Sequence, residues 1–215
     1  MSRSIQNFLI LGSLFAFGSS GAIRPAVAET EPTALTLRVL VCNDARVPQS
    51  VLGWAQQITS RIFRNAGIEL VWIACPADNE TPATYPDCRG PFGLQDLVVR
   101  IRQDAIGEVS LQGDVFGLAL IAKDGGFSRQ AYVFFGRLEN LAWGNVQKAS
   151  WGQLVSHIPP RAYSSVMLGV VLAHELGHLL LGSNSHSNQG IMRPSWGPQA
   201  LEDAYGAGLA SPLSR

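Results

Sequence analysis

From Leu35 the chain alternates. Leu35, Leu37, Val39 and Val41 fall on one side of an extended segment and Thr36, Arg38 and Leu40 on the other, until Asn43-Asp44 breaks the pattern. A period of two predicts a strand. The period then changes to that of a helix: Val51, Ala55, Ile58, Ile62 and Ala66 share one face, with Ser50 placed to cap its start and Gly67 its end. Ile68 to Ala74 (IELVWIA) is a short apolar run with β-branched and aromatic members, which predicts a buried strand. Strand, helix and strand in this order imply a right-handed parallel crossover. Three further strands are expected at Leu97 to Arg102, Val115 to Ala122 and Gln130 to Phe135, the last two joined through Gly125-Gly126.

A second long helix is expected from Ser164 to Leu181. Its residues Val166, Leu168, Val170, Val171, Leu172 and Ala173 are almost wholly apolar, as in a helix running through the centre of a domain. Gly182 stops it, and Pro198 to Tyr205 forms a short C-terminal helix. The expected architecture is α+β: a mixed five-stranded twisted sheet, a backing helix, a helix that carries the chemistry described below, and a short C-terminal helix.

With 215 residues and 47% hydrophobic content, one domain with a proper core is the expectation. The first 28 residues stand apart. Arg3, the apolar run Phe8 to Phe17 and the Ala26-Val27-Ala28 site have the form of a signal peptide, so that 29–215 make up the mature domain and export follows, to the periplasm or the medium. About ten apolar residues do not span a bilayer core that needs about twenty. Removing this segment leaves 14 basic against 16 acidic residues, a balance with no electrostatic footprint for nucleic acid or anionic lipid. A monomer without a membrane partner is the expectation.

Export bears on the three cysteines, because thiols in an oxidising compartment tend to pair. Cys75 and Cys88 bracket a turn-rich segment, PADNETPATYPD, and are the preferred pair; closing such a loop is worth roughly 3 kcal/mol in the chain-entropy model. Cys42 and Cys75 both stand at predicted strand ends, which makes a bridge between them the rival. Otherwise Cys42 is a small buried hydrophobe.

The chemistry lies in HELGHLLLGSNSHSNQGIM, His174 to Met192. Residues four apart on a helix share a face, so His174 and His178 can present imidazole nitrogens to one zinc ion. Glu175 is one step round the helix, placed to reach a water beside the metal and act as general base. Three of the four histidines fall within thirteen residues, which makes His186 the candidate third ligand, and the SNS tripeptide before it is small and flexible enough for the chain to turn back. Glu202 is the rival. The remaining histidine, His157, reads as a loop or surface residue.

HELGH, Gly182, His186-Ser187 and Gly190-Ile191-Met192 together resemble the active site of the metzincin zinc proteases, with a matrixin-like His-Ser pair. They also resemble short secreted bacterial proteins with the same spaced site. The metzincin pattern is HExxHxxGxxH, whereas this chain has HExxHxxxGxxxH, with one extra residue on each side of Gly182. The resemblance implies a Zn2+-dependent endopeptidase in which His174, His178 and His186 hold the metal, Glu175 is catalytic, and Met192 forms a turn beneath the site. It further implies that an edge strand, Val115 to Ala122, takes a peptide or protein substrate by strand addition. Two alternatives remain: a zinc-binding pseudoenzyme or interaction domain of the same fold, and a gluzincin-like protease with Glu202 as third ligand.

Overall fold

The computed structural model describes residues 35–77, 85–105, 115–122, 129–147, 160–196 and 198–209. All of them belong to one compact unit, Ala34–Arg215. The proposed signal peptide and its cleavage site, His157 and Gly125-Gly126 lie outside the described residues.

Five strands form one mixed sheet in the order β2-β1-β3-β5-β4: β1 (Leu35–Asn43), β2 (Ile68–Cys75), β3 (Asp96–Arg102), β4 (Gly117–Ala119) and β5 (Gln130–Phe134). The β1-β2, β1-β3 and β3-β5 pairs are parallel; β4 is antiparallel to β5 and forms an edge. Of the alternation read from β1, Leu37, Val39 and Val41 are buried as expected, whereas Leu35 is exposed and Leu40 is buried on the other face. Val39 and Val41 align with Leu97 and Val99 of β3, and Leu37 with Leu70 of β2, on the buried face. The edge strand is shorter than the apolar run suggested, since it has a neighbour on one side only. Its ladder still reaches one residue further at each end, through Phe134 N to Phe116 O and Leu120 N to Gln130 O, both 2.9 Å.

Helix α1 (Gln49–Arg64) joins β1 to β2. It begins one residue before Ser50, with Pro48 at the N-cap and no side-chain cap, so the expected role of Ser50 is corrected. Its buried stripe is Leu52, Ala55, Ile58, Thr59 and Phe63. Of the expected face, Val51 and Ile62 are half-buried and Ala66 is exposed; the helix is rotated from the expected orientation. The cause is a second partner. The Thr59 hydroxyl lies 2.9 Å from the carbonyl oxygens of both Ala55 and Gly169, and the latter belongs to the long helix α3 (Pro160–Leu181). A Cβ at Gly169 would stand 2.9 Å from Ala55 O and from Ile58 Cβ, so the two helices meet where there is no side chain to separate them.

Helix α2 (Phe135–Gln147) follows β5 without a turn and takes Phe135, which the sequence pattern had placed in the strand. Phe135 and Leu138 are buried, and their spacing of three was the available signal for this helix. Helix α4 (Pro198–Leu209) closes the domain and extends beyond the expected Tyr205. Helix α3 packs against α1, α2, α4, β4 and β5. Its segment Ala162–Leu181 has the length and apolarity of a membrane span, and burial among these elements accounts for that apolarity.

Cys75 and Cys88 form a disulfide with their Cα atoms 5.7 Å apart. Cys42 stands in register beside Cys75 on β1, and is buried with Leu40 rather than bridged to its neighbour. A disulfide of this kind suits an oxidising compartment outside the cytoplasm.

Gly169→Val is expected to lower the unfolding free energy by about 2–3 kcal/mol, because neither helix backbone has room to yield. Gly53→Ala in α1, where a Cβ would meet nothing within 4 Å, is expected to raise it by up to about 1 kcal/mol. Urea denaturation of the oxidised protein measures both, and equal effects would show that α1 and α3 do not depend on close approach at Gly169.

Candidate metal centre

The last two turns of α3 carry His174, Glu175 and His178, all buried, at the end of a helix whose other buried residues are nearly all apolar. Gly182 then takes a φ of +59°, the left-handed conformation that ends a helix and costs a glycine little. The return is short and folded on itself. Ser183 Oγ accepts from Ser185 N at 3.1 Å and lies 2.8 Å from Ser185 Oγ, so the tripeptide expected to be flexible forms a hydrogen-bonded turn. This brings the exposed His186 ring within 5.2 Å of the His174 ring and 5.0 Å of the His178 ring, centroid to centroid. One ligand atom from each of the three histidines lies within 4.8 Å of the others. His186 therefore reaches the site despite its late position. Among the described residues Glu202, on α4, is not part of this cluster.

The hydrogen bonds of the two helical histidines define their chemistry. His174 Nδ1 lies 2.9 Å from Ile191 O, and His178 Nδ1 lies 2.8 Å from Ser183 O. A carbonyl oxygen only accepts, so each Nδ1 carries the proton and each neutral ring turns an unprotonated Nε2 the other way. Those two Nε2 atoms face each other at 2.9 Å. Burial also holds His174 neutral, lowering its pKa to about 4 against the opposing hydrogen bond to Ile191; nearby His178 and His186 lower it further. Burial lowers His178 as well, against its bond to Ser183. Two lone pairs directed at each other repel unless a cation lies between them. Their separation is close to the roughly 3.3 Å kept by two ligands of a tetrahedral ion with 2.0–2.1 Å bonds. The donor set fits a metal ion.

Glu175 is not part of the nitrogen cluster. Its carboxyl lies against β4, where Ala119 N–H donates to it, and burial outweighs that bond to raise its pKa to about 8. A cavity of about 330 Å³ opens over these groups, between β4 residues Gly117 and Ala119, the histidines and Trp196.

Several participants carried no sequence signal of their own. Trp196 stands edge-on to the His174 ring at 4.9 Å, and its Nε1–H donates at 3.3 Å to Ile191 O, the same carbonyl that orients His174. Gly177, an unspecified position of the HExxH pattern, packs on Met192: a Cβ there would lie 2.5 Å from Met192 Sδ. The methionine is thus lodged against the helix turn between His174 and His178. Its loop closes through Ser187 N to Met192 O at 2.8 Å, with Gly190 at φ +70°. These residues become visible as site residues only when the loop is folded back under the helix.

No protein-family model matches the chain, and a search of curated proteins returned no match. The plain finding is a group of three histidines that could hold a metal ion, with a buried carboxyl beside it, next to the edge of a five-stranded mixed sheet.

The metal-free protein offers a check on Glu175. Its folded pKa of about 8 lies above the ordinary value of 4.5, so the stability tied to this group is complete below pH 4.5 and is lost as pH rises to 8. Glu175→Gln removes that loss. The melting temperature of the metal-free variant should exceed that of the metal-free wild type by a margin that widens from pH 5 to pH 8.5. A constant margin would show that the carboxyl ionises in place at little cost.

Proposed function

We propose that this protein is a secreted zinc-dependent endopeptidase, with His174, His178 and His186 as metal ligands and Glu175 as general base. The observation that carries the reading is the pair of unprotonated nitrogens 2.9 Å apart with a third imidazole beside them and a separate carboxylate on the cavity wall. Imidazole donors suit zinc, and three protein ligands leave a fourth position open, as in catalytic rather than structural sites. Zinc held there supplies Lewis acidity, acidifying a water molecule and polarising a peptide carbonyl.

The chain's own residues do the rest. Ile191 O and Ser183 O hold the first two imidazoles in the ligating tautomer. Beside a divalent cation the Glu175 carboxyl is ionised, the form that accepts a proton; it takes one as water attacks and returns it to the leaving amine. The edge of β4 that pairs with no strand among the described residues lies along the same cavity and suits an extended peptide backbone. Substrates of this site are therefore unstructured peptides or exposed protein segments. The protein acts as a monomer after export, consistent with its disulfide.

Purified protein is expected to bind one zinc per chain and to cleave a library of unstructured peptides. Glu175→Ala should abolish turnover and keep the metal. His186→Ala should weaken zinc binding by about 100-fold or more, in the upper part of the range for losses around a metal site, while Glu202→Ala changes neither property. Elemental analysis and a fluorogenic peptide assay read these outcomes. A zinc-loaded protein that cleaves nothing would identify a binding protein rather than an enzyme. Equal zinc loss in Glu175→Ala and His174→Ala would make Glu175 a ligand.

A further inference from the structure

The edge strand contributes more to this site than a surface for a substrate. Phe116 and Leu120 direct their backbone bonds to β5. By the alternation of an antiparallel ladder, the backbone groups of Gly117 and Ala119 turn to the edge away from β5, which is unpaired among the described residues. The Ala119 N–H on that edge is already engaged by the Glu175 carboxyl. Two residues away, a Cβ at Gly117 would lie 2.6 Å from both Cγ and Cδ of Glu175 and would overlap Oε1. Gly117 is not among the glycines with positive φ, so its backbone suits any residue and only the space forbids a side chain.

We propose that Gly117 is a positioning residue for the general base: the missing side chain leaves the volume that the Glu175 carboxylate occupies, and Ala119 N–H holds the carboxylate there. The proposal rests on Glu175 being that base. One strand then serves two purposes. It offers its edge to the substrate backbone and, through positions 117 and 119, sets where the proton acceptor stands relative to the histidines. A small displacement of such a group is costly, since misplacement by about 1 Å can reduce a rate by about 100-fold.

Gly117→Ala is the direct test. The expected result is a fall in kcat of about 100-fold, with KM and zinc affinity changed by no more than about twofold. Shortening the acid by one methylene withdraws it from the added methyl group. Gly117→Ala combined with Glu175→Asp should therefore recover at least about tenfold over Gly117→Ala alone, whereas Glu175→Asp alone should be slower than wild type. A rise confined to KM would assign Gly117 to substrate access and overturn the proposal, as would a double variant no faster than Gly117→Ala.

A second measurement needs no turnover. In the wild type the Ala119 amide proton, though on an unpaired edge, should exchange slowly with solvent. Its exchange by NMR should accelerate by about tenfold or more in Glu175→Ala, which leaves the strand untouched, and in Gly117→Ala. Fast exchange in the wild type, or unchanged exchange in Glu175→Ala, would overturn the seat. If the wild type cleaves no peptide, the hydrolase reading fails on its own, and the exchange rates still decide whether Gly117 and Ala119 hold the Glu175 carboxyl.

Discussion

Two imidazole nitrogens without protons, 2.9 Å apart and buried, are the constraint on which the arrangement depends. They face each other because both Nδ1–H groups donate hydrogen bonds to backbone carbonyls, one from Ser183 just past the helix and one from Ile191 further on. Each of those carbonyls has to be brought to its ring. The left-handed turn at Gly182 places Ser183 under His178, and the closed loop from Ser187 to Met192 places Ile191 under His174. Trp196 then donates to the same Ile191 oxygen, so the segment after the loop is tied to the ring that the loop orients. A cation at the nitrogens would relieve their repulsion, and the two carbonyls aim the rings.

The apolar helix explains how such a polar cluster is tolerated. Most of α3 is buried against α1, α2 and the sheet, which places its last two turns by packing rather than by local preference. The crossing at Gly169, with the Thr59 hydroxyl shared between the two helices, sets how close α1 approaches. At the far end the same helix meets the short strand β4, where Glu175 finds an amide donor and a gap beside Gly117. Burial is thus the common cause behind two effects: the neutral His174 and His178 rings and the raised Glu175 carboxyl.

The run from His178 to His186 is two residues longer than in the HExxHxxGxxH spacing. An extra residue before Gly182 adds Leu181 to the helix, where it is left exposed, and an extra residue after it is absorbed in the serine-bonded turn. His186 still arrives beside the other two rings. Met192 is lodged against Gly177 in the helix turn between the first two histidines, and no family model matches the chain.

The sequence by itself determined the elements with strong periodicity and the chemistry with fixed spacing. β1 was legible because its alternation is set by one buried face. α3 was legible because a long apolar run ended by Gly182 has few other solutions, and His174 with His178 because a helix fixes residues four apart. The Cys75 and Cys88 pair was legible from the loop they bracket, though the register beside Cys42 left a rival that only the folded chain removed. Tertiary structure decided whatever depended on a distant partner. It rotated α1 towards Gly169, formed the unexpected helix α2 from a residue read as strand onwards, and left β4 three residues long beside β5. It also brought His186, and not Glu202, beside the other two histidines, and gave Gly117, Gly177 and Trp196 their places around them. Local spacing carries information only as far as a helix or strand is rigid; beyond Gly182 the chain's path is set by which carbonyls and side chains can fill the space beneath α3.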